Sequence, residues 1–302
     1  MNCTKRMDGK LLYQLLICGF QKLNDNTHYL NDINVFPVSD ADTGTNMKRT
    51  FETGINELVV SSSFTDVFSS FMQGMLLGSR GNSGSILSQY FLGIYEYTKG
   101  NNEVSVVKFC RALKSAYKTA YRAVLQPVEG TILTVMRESI ENTIAQVNKD
   151  TSLEQFLDIF TVELFLCVQN TKNKLDILRL NDVVDSGAVG FYLIFDGMKS
   201  GLFSAEQASD NEMLLFEKSE KSVQNPLIYR YCTEFLLITR ADYTKEFFIG
   251  KLDTKGDSLI VTFTDRLLKV HIHTNEPQDI LDEFSAFGDL AETKVDDMLL
   301  QQ

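Results

Sequence analysis

The sequence has no apolar run near the ~20 residues that a membrane-spanning helix needs. Its start, MNCTKRMDGKLL, lacks the apolar core and small-residue cleavage site of a secretory signal. The chain is therefore expected in the cytoplasm. Cysteine is sparse, five residues with no CxxC spacing, which fits a reducing compartment where thiols stay free. Cys18, Cys110 and Cys167 lie among apolar residues and read as core fillers. Positive charge is also short: 29 Lys and Arg face 40 Asp and Glu, a formal net charge of −11. That balance argues against a nucleic acid partner, which requires clustered cations to displace phosphate counterions, and it serves solubility instead. There is no internal repeat, no low-complexity tract and no P-loop of the form GxxxxGK[ST].

What is present suits a globular protein of two domains. The chain has 302 residues, 44% apolar and 23% charged. From Gly9 to about Leu23, the residues Leu11, Leu12, Leu15, Leu16 and Phe20 recur at helical spacing. Further helical patterns occupy 46–60, 64–78, 84–98, 103–125, 130–147, 152–172 and Gly187 to Met198. Residues 1–200 therefore read as an all-helical bundle. Residues 201–225 are polar and without period, which predicts a linker. Residues 226–302 change grammar to strand, helix, two strands, helix and strand. That order predicts a small α+β ferredoxin-like sandwich.

Two loops in the helical part carry chemistry. NVFPVSDADTGTNM, residues 34–47, sets Asp40 and Asp42 one residue apart. Their repulsion is relieved by a cation, and Mg²⁺ suits a pair of carboxylates completed by phosphate and water. A capped turn before a helix explains the same pair without any ion, and both readings stand at this point. Gly44 offers a positive φ that would let N–H groups converge, and Thr43, Thr45 and Asn46 supply short polar side chains at a helix start, which favours anions. GSRGNSGSILSQ, residues 78–89, adds Gly78, Gly81 and Gly84 for close backbone approach. Ser83 and Ser85 there can donate to phosphate, and Arg80 can neutralise charge during transfer.

These two stretches, followed by QPVEGTILTVMRES and VVDSG in that order, resemble the signature segments of the kinase subunit of bacterial fatty acid kinase. The N-terminal part is similar to the nucleotide-binding subunit of dihydroxyacetone kinase, the DhaL-like or DAK2 domain, and residues 226–302 resemble the family's middle domain. The resemblance implies a barrel of antiparallel helices with ATP or ADP and two Mg²⁺ ions at one end. Carried over by position, Asn34, Asp40 and Asp42 are the expected Mg²⁺ ligands, Asn34 standing where dihydroxyacetone kinases have another Asp. Asn82 and Ser83 are expected to hold phosphate, Thr131 and Ile132 to lie against the adenine, and Asp185, Ser186 and Gly187 to close the pocket. For Thr131 and Asp185 a simple helix cap is the competing reading.

Two departures from the family stand out. The usual PDGD reads SDAD here, Ser39 to Asp42, with Ala41 in place of glycine. Family members continue into a C-terminal domain that engages the fatty-acid-carrying partner, whereas this sequence stops at Gln302. That domain is then a separate docking subunit, or the sequence is a piece of a longer chain, or the acceptor differs.

In the second domain, His271 and His273 project from one face of a predicted strand, and Cys232 lies on its expected neighbour. A thiolate and two imidazoles make three ligands of a tetrahedral Zn²⁺ site, a reading that the resemblance strengthens. A pair of exposed histidines and a buried thiol is the alternative. Because the cluster belongs to a different domain from the nucleotide, a structural or homodimer-contacting role is expected for it. The remaining histidine, His28, reads as solvated.

The expected function is an ATP-dependent kinase subunit that forms an acyl phosphate on a fatty acid presented by a separate fatty-acid-binding protein. A carboxylate acceptor is already ionised at neutral pH and needs no general base, in line with the absence of His from the nucleotide motifs. A kinase for a small hydroxy or keto compound such as dihydroxyacetone is the alternative enzyme. A non-catalytic ATP-binding scaffold is the alternative from another class.

Overall fold

The computed structural model describes residues 4–202, 227–264 and 266–300. Most of the predicted linker lies outside the described residues. The first domain comprises helices α1 (Gly9–Asp25), α2 (Thr27–Asp32), α3 (Thr43–Asn56), α4 (Phe64–Gly78), α5 (Gly81–Thr98), α6 (Val106–Ala123), α7 (Ile132–Ile144), α8 (Leu153–Gln169), α9 (Asp176–Asn181) and α10 (Ser186–Ser200). Two-residue strands β1 (Arg6–Met7) and β2 (Val104–Ser105) pair beside them.

Local chemistry starts several of these helices. Ser63 caps α4, Ser105 caps α6, and Ser152 with Gln155 forms a capping box on α8, each satisfying amides that have no acceptor inside the helix. Packing then closes a ring: α1 lies on α10 and α4, α4 on α5, α5 on α6, α6 on α7, α7 on α8, and α8 on α10. Inside it Phe51 meets Phe71 and Phe91 edge-on at 5.0 and 5.6 Å. Cys110 and Cys167 are buried in this domain, and Cys18 is half-buried. Among the described residues no helix is long and apolar enough to cross a membrane.

The second domain runs β3 (Tyr231–Thr239), α11 (Lys245–Leu252), β4 (Asp257–Thr264), β5 (Leu267–Thr274), α12 (Pro277–Ser285) and β6 (Gly288–Asp297). The strands form an antiparallel sheet in the order β4-β5-β3-β6, the ferredoxin-like arrangement expected from the sequence. One sheet face and the two helices enclose a separate core of Phe235, Leu237, Val261, Val270, Phe248 and Phe284, among others.

Candidate functional site

Strand alternation decides which residues meet. Phe235, Leu237, Leu268, Val270 and Ile272 turn into the second core, so Cys232, Glu234, Lys269, His271 and His273 turn to the opposite face. The strand registers align that face in two cross-strand rows. Lys294, Glu234, His271 and Ile260 form one, and Asp296, Cys232, His273 and Asp257 form the next.

This face packs onto the helical domain where α4 ends and α5 begins. Ile260 enters the core of the helical domain, and the Leu125 amide donates to the Leu259 carbonyl at 3.2 Å, covering the β4 edge. Lys269 Nζ donates to the Leu77 carbonyl at 2.6 Å, at the negative end of α4. Glu234 Oε1 accepts the Gly81 N–H at 2.6 Å, at the positive start of α5. Arg80 Nη2 donates to Glu292 Oε1 at 2.5 Å, and Gln89 Nε2 to Thr262 Oγ1 at 2.6 Å. Burial pushes the Lys269 ammonium down to about 8.

The acidic loop lies next to this junction. Burial, and then the neighbouring Asp42, pushes the Asp40 carboxyl up from 3.8 to about 7. Asp42 is raised as well: its burial outweighs hydrogen bonds from Asn46 and Asp40 and the charges of Lys294 and His271. Two carboxyls sharing one proton at neutral pH form a site that a divalent cation would fill by displacing that proton. Lys294 and His271 belong to the second domain, so both domains set the charge at this loop.

Asn34 is buried, but it presents its amide to Asp40, with Nδ2 donating to Asp40 Oδ1 at 2.9 Å and to the Val38 carbonyl at 2.8 Å. Its oxygen accepts from the Thr43 hydroxyl. In this state Asn34 orients a carboxyl, and Mg²⁺ ligation would require its oxygen to leave Thr43.

Gly44 corrects the sequence expectation. It sits inside α3 and is not among the positive-φ glycines. A side chain there would strike the Thr27 carbonyl, so close packing of α3 on α2 is what requires glycine. The left-handed residues of the two loops are Gly81, at φ +60, and Ala41, at φ +53. An L-residue in that region costs roughly 1–2 kcal/mol, partly offset by the backbone entropy glycine would lose. Ala41→Gly is expected to raise stability by about 0.5–1 kcal/mol, read from denaturant midpoints at an unchanged slope.

A cavity of about 450 Å³ opens beside the acidic loop. Val38, Ile86, Val124, Val128 and Ile132 give it apolar walls, while Thr43, Asn82, Ser83 and His273 offer polar groups. Thr131, Asp185 and Gly187 also line it, together with Leu227, Ile228 and Tyr229 from the approach to β3. Thr131 occupies the N-cap position of α7, yet its hydroxyl donates back to the Val128 carbonyl at 2.7 Å. Asp185 combines both expected roles: it caps α10 through the Ala188 amide at 2.8 Å and lines the cavity. Burial pushes its carboxyl up to about 6.

Other expected residues stand behind the wall. Thr45 pairs with Asn31, Ser186 donates to the Leu30 carbonyl at 2.6 Å, and Gly84 packs on Thr50. Asn46 is buried behind Asp42, and the Gly81 amide is taken by Glu234. Arg80, expected to neutralise transferring phosphate, already has Glu292 as an ion-pair partner and the Ser79 carbonyl at 3.3 Å. Sequence reasoning missed Glu129, which accepts from Tyr121, Thr134 and Arg137 and so fixes the segment carrying Val128 and Thr131. The glutamate of QPVEGT was visible, but nothing local marked its three partners.

Cys232, His271 and His273 do come together, with one ligand atom from each within 4.8 Å of the others. Cys232 Sγ lies 3.8 Å from His271 Nδ1. His271 Nδ1 also faces Glu234 Oε1 at 3.0 Å, and His273 Nδ1 faces Asp257 Oδ1 at 3.4 Å. His271 Nε2 is buried and finds no hydrogen-bond partner among the described residues. Carboxylates behind both imidazoles and an unpartnered ring nitrogen fit a metal-binding donor set. Burial alone would lower His271, but Cys232 and Glu234 outweigh it and push the imidazole up to about 10. Burial would likewise raise the Cys232 thiol, yet His271 and His273 hold it below its ordinary value. The expected separation of this cluster from the nucleotide loops does not hold, because His273 lines the same cavity as Asn82 and Ser83.

Residues 37–200 match the DAK2 domain family, and residues 228–302 match the FakA-like middle domain of fatty acid kinase. Among curated relatives, Protein YloV of Bacillus subtilis is 34% identical over 311 residues, covering 97% of this chain and 56% of its own length. An uncharacterised protein of Staphylococcus haemolyticus is 32% identical over 306 residues, covering 97% of this chain and 55% of its own length. The chain thus spans about half the length of the curated relatives it matches. A crystal structure of the dihydroxyacetone kinase from C. freundii in complex with AMP-PNP and Mg²⁺ aligns at a TM-score of 0.46 and 15% identity, over 65% of this chain and 34% of that one. On the extent of the first match, this chain belongs to the DAK2 domain family, and it carries behind that domain the FakA-like middle domain of the fatty acid kinases.

Proposed function

We propose that this chain is the nucleotide-binding part of an ATP-dependent kinase that phosphorylates a carboxylate, the head of a fatty acid presented by a separate binding protein. One observation carries the reading: His273 of the Cys/His cluster in the second domain and Val38 and Thr43 of the loop that carries Asp40 and Asp42 in the first line one cavity. A nucleotide lying there would have its base among Val124, Val128, Thr131 and Ile132 and its phosphates toward Asn82 and Ser83. Asp40 and Asp42 would hold Mg²⁺, which when bound supplies charge neutralisation on the phosphates. Lys294, whose charge already reaches Asp42, is a second protein cation beside the loop, and it pairs with Asp296 as Arg80 does with Glu292. Cys232, His271 and His273 would hold Zn²⁺ facing the acceptor side, where an open coordination position supplies Lewis acidity.

No protein base is needed for a carboxylate, so the chain's task is in-line placement and exclusion of water. The test is to incubate the chain with ATP, Mg²⁺ and a fatty acid loaded on its binding protein, and to trap product with hydroxylamine. A hydroxamate that requires all components is expected. ATP binding without hydroxamate, under conditions where the full-length relative makes it, would refute the proposal.

A second reading has one specific support, the pairing of His273 with Asp257 at the cavity. An imidazole backed by a carboxylate can accept a proton, which a hydroxyl acceptor would require. ATP consumption with small hydroxy compounds, absent with fatty acid, would favour that acceptor class.

A further inference from the structure

The α5 start contains a helix amide with an unusual partner. Gly81 is the first residue of α5, and amides of a first helical turn have no acceptor within the helix. Such an amide ordinarily faces solvent or an anionic ligand. Here it donates to Glu234, a residue from the other domain that is only 4% exposed. The same oxygen, Oε1, receives His271 Nδ1 at 3.0 Å. Its second oxygen, Oε2, is buried and finds no hydrogen-bond partner among the described residues. Across the sheet, Glu234 stands between Lys294 on β6 and His271 on β5. One buried carboxylate therefore touches both the turn that presents Asn82 and Ser83 to the cavity and a member of the Cys/His cluster.

Burying a carboxylate is costly, and an apolar residue would pack between two domains at lower cost. A charged group kept at such a place is held by what its two contacts do together. Gly81 strengthens the case: at φ +60, with Asn46 where a side chain would be, it fixes the direction of the N–H toward the sheet.

We propose that Glu234 is a positioning residue that couples the phosphate-facing turn of α5 to His271. A displacement of the turn when nucleotide arrives moves the acceptor of the His271 proton, and occupancy of the Cys/His cluster in turn restrains the turn. The coupling is reciprocal, as any thermodynamic linkage between two sites must be. It rests on the reading of the cavity as a nucleotide site, but the link between Gly81 and Glu234 exists with or without nucleotide.

The test has two arms. In the first, hydrogen exchange of the Gly81 amide is measured without nucleotide by NMR. The wild-type amide is expected to be protected, and Glu234→Ala is expected to speed its exchange at least tenfold while the amides of Tyr90 and Phe91 later in α5 keep their rates. Glu234→Gln, which retains an oxygen acceptor, should restore most of the protection. Equal Gly81 exchange in wild type and Glu234→Ala overturns the proposal. In the second arm, Mg²⁺-ADP is titrated while the imidazole signals are followed, a tractable readout because the chain has three histidines. The His271 signal should shift in the wild type and stay fixed in Glu234→Ala, with calorimetry confirming that ADP still binds. The same shift in both proteins overturns the coupling. If ADP fails to bind the wild type, the nucleotide reading falls, and the exchange arm alone decides whether Glu234 holds the turn.

Discussion

Replacing Asp40 by asparagine is expected to stabilise the metal-free protein and, at the same time, to abolish most of its affinity for Mg²⁺-nucleotide. The two effects have one origin. Burial and Asp42 hold the Asp40 carboxyl at about 7 against an ordinary 3.8, so folding favours its protonated form. For a carboxyl raised in this way, the stability it contributes is fully present below pH 3.8 and is lost as pH rises through about 7. Wild-type stability without metal should therefore fall across that window. Asparagine mimics the protonated acid and removes that fall.

The full shift corresponds to ~4 kcal/mol at 1.36 kcal/mol per pKa unit, and partial solvent screening of the loop reduces the expected gain to about 2 kcal/mol at pH 8. The gain should vanish near pH 4, where the wild-type carboxyl is itself protonated. Mg²⁺-ADP affinity should drop about 100-fold or more, the scale of losing one partner of a buried charge pair. Thermal scans between pH 4 and 8 and calorimetric titration measure both quantities. A variant that binds Mg²⁺-ADP like the wild type would detach this pair from the metal.

Cys232→Ser is expected to remove phosphoryl transfer while leaving nucleotide binding nearly intact. Serine keeps the size of the side chain but replaces a thiol, which His271 and His273 hold below its ordinary pKa, with a hydroxyl that stays neutral. The cavity walls that would meet the base belong mainly to the helical domain, so ATP affinity should change by less than about threefold on the scale of a lost distant contact. Loss of a metal ligand at a reacting centre costs roughly 100- to 1000-fold, comparable with removal of one charge-stabilising group from an active site. Elemental analysis should find one zinc per wild-type chain and none in the variant, with the melting temperature reporting any structural damage separately. Undiminished transfer by a folded Cys232→Ser protein would assign the cluster a purely structural part.

Several features of this arrangement were legible without coordinates. Helix α4 was bounded at 64–78 by its apolar spacing, and the structure gives Phe64–Gly78. The Cys232, His271 and His273 cluster followed from the strand order, because the first and third strands of such a sheet are neighbours. Glu234 and Lys294 left no comparable trace: a polar residue at every second strand position reads as a solvent-facing row, and only docking turns that row inward. The role expected of Gly44 failed for a related reason. Glycine ahead of a helix signals either a left-handed turn or a tight contact, and the Thr27 carbonyl that decides between them lies on another helix.

Apart from the six-residue helices α2 and α9 and the two-residue strands β1 and β2, the sequence by itself determined the two domains, the elements within them, the strand order and the two acidic and glycine-rich loops. Those follow from side-chain periodicity, capping and turn chemistry, which act over a few residues and are written in them. Only the tertiary structure decided that the polar sheet face covers the α5 start, that Arg80 is paired with Glu292, and that His273 of the Cys/His cluster lines the same cavity as Asn82 and Ser83. Such contacts join residues more than 150 positions apart, and they are selected by shape and by the charge at helix ends, which no short stretch of sequence contains.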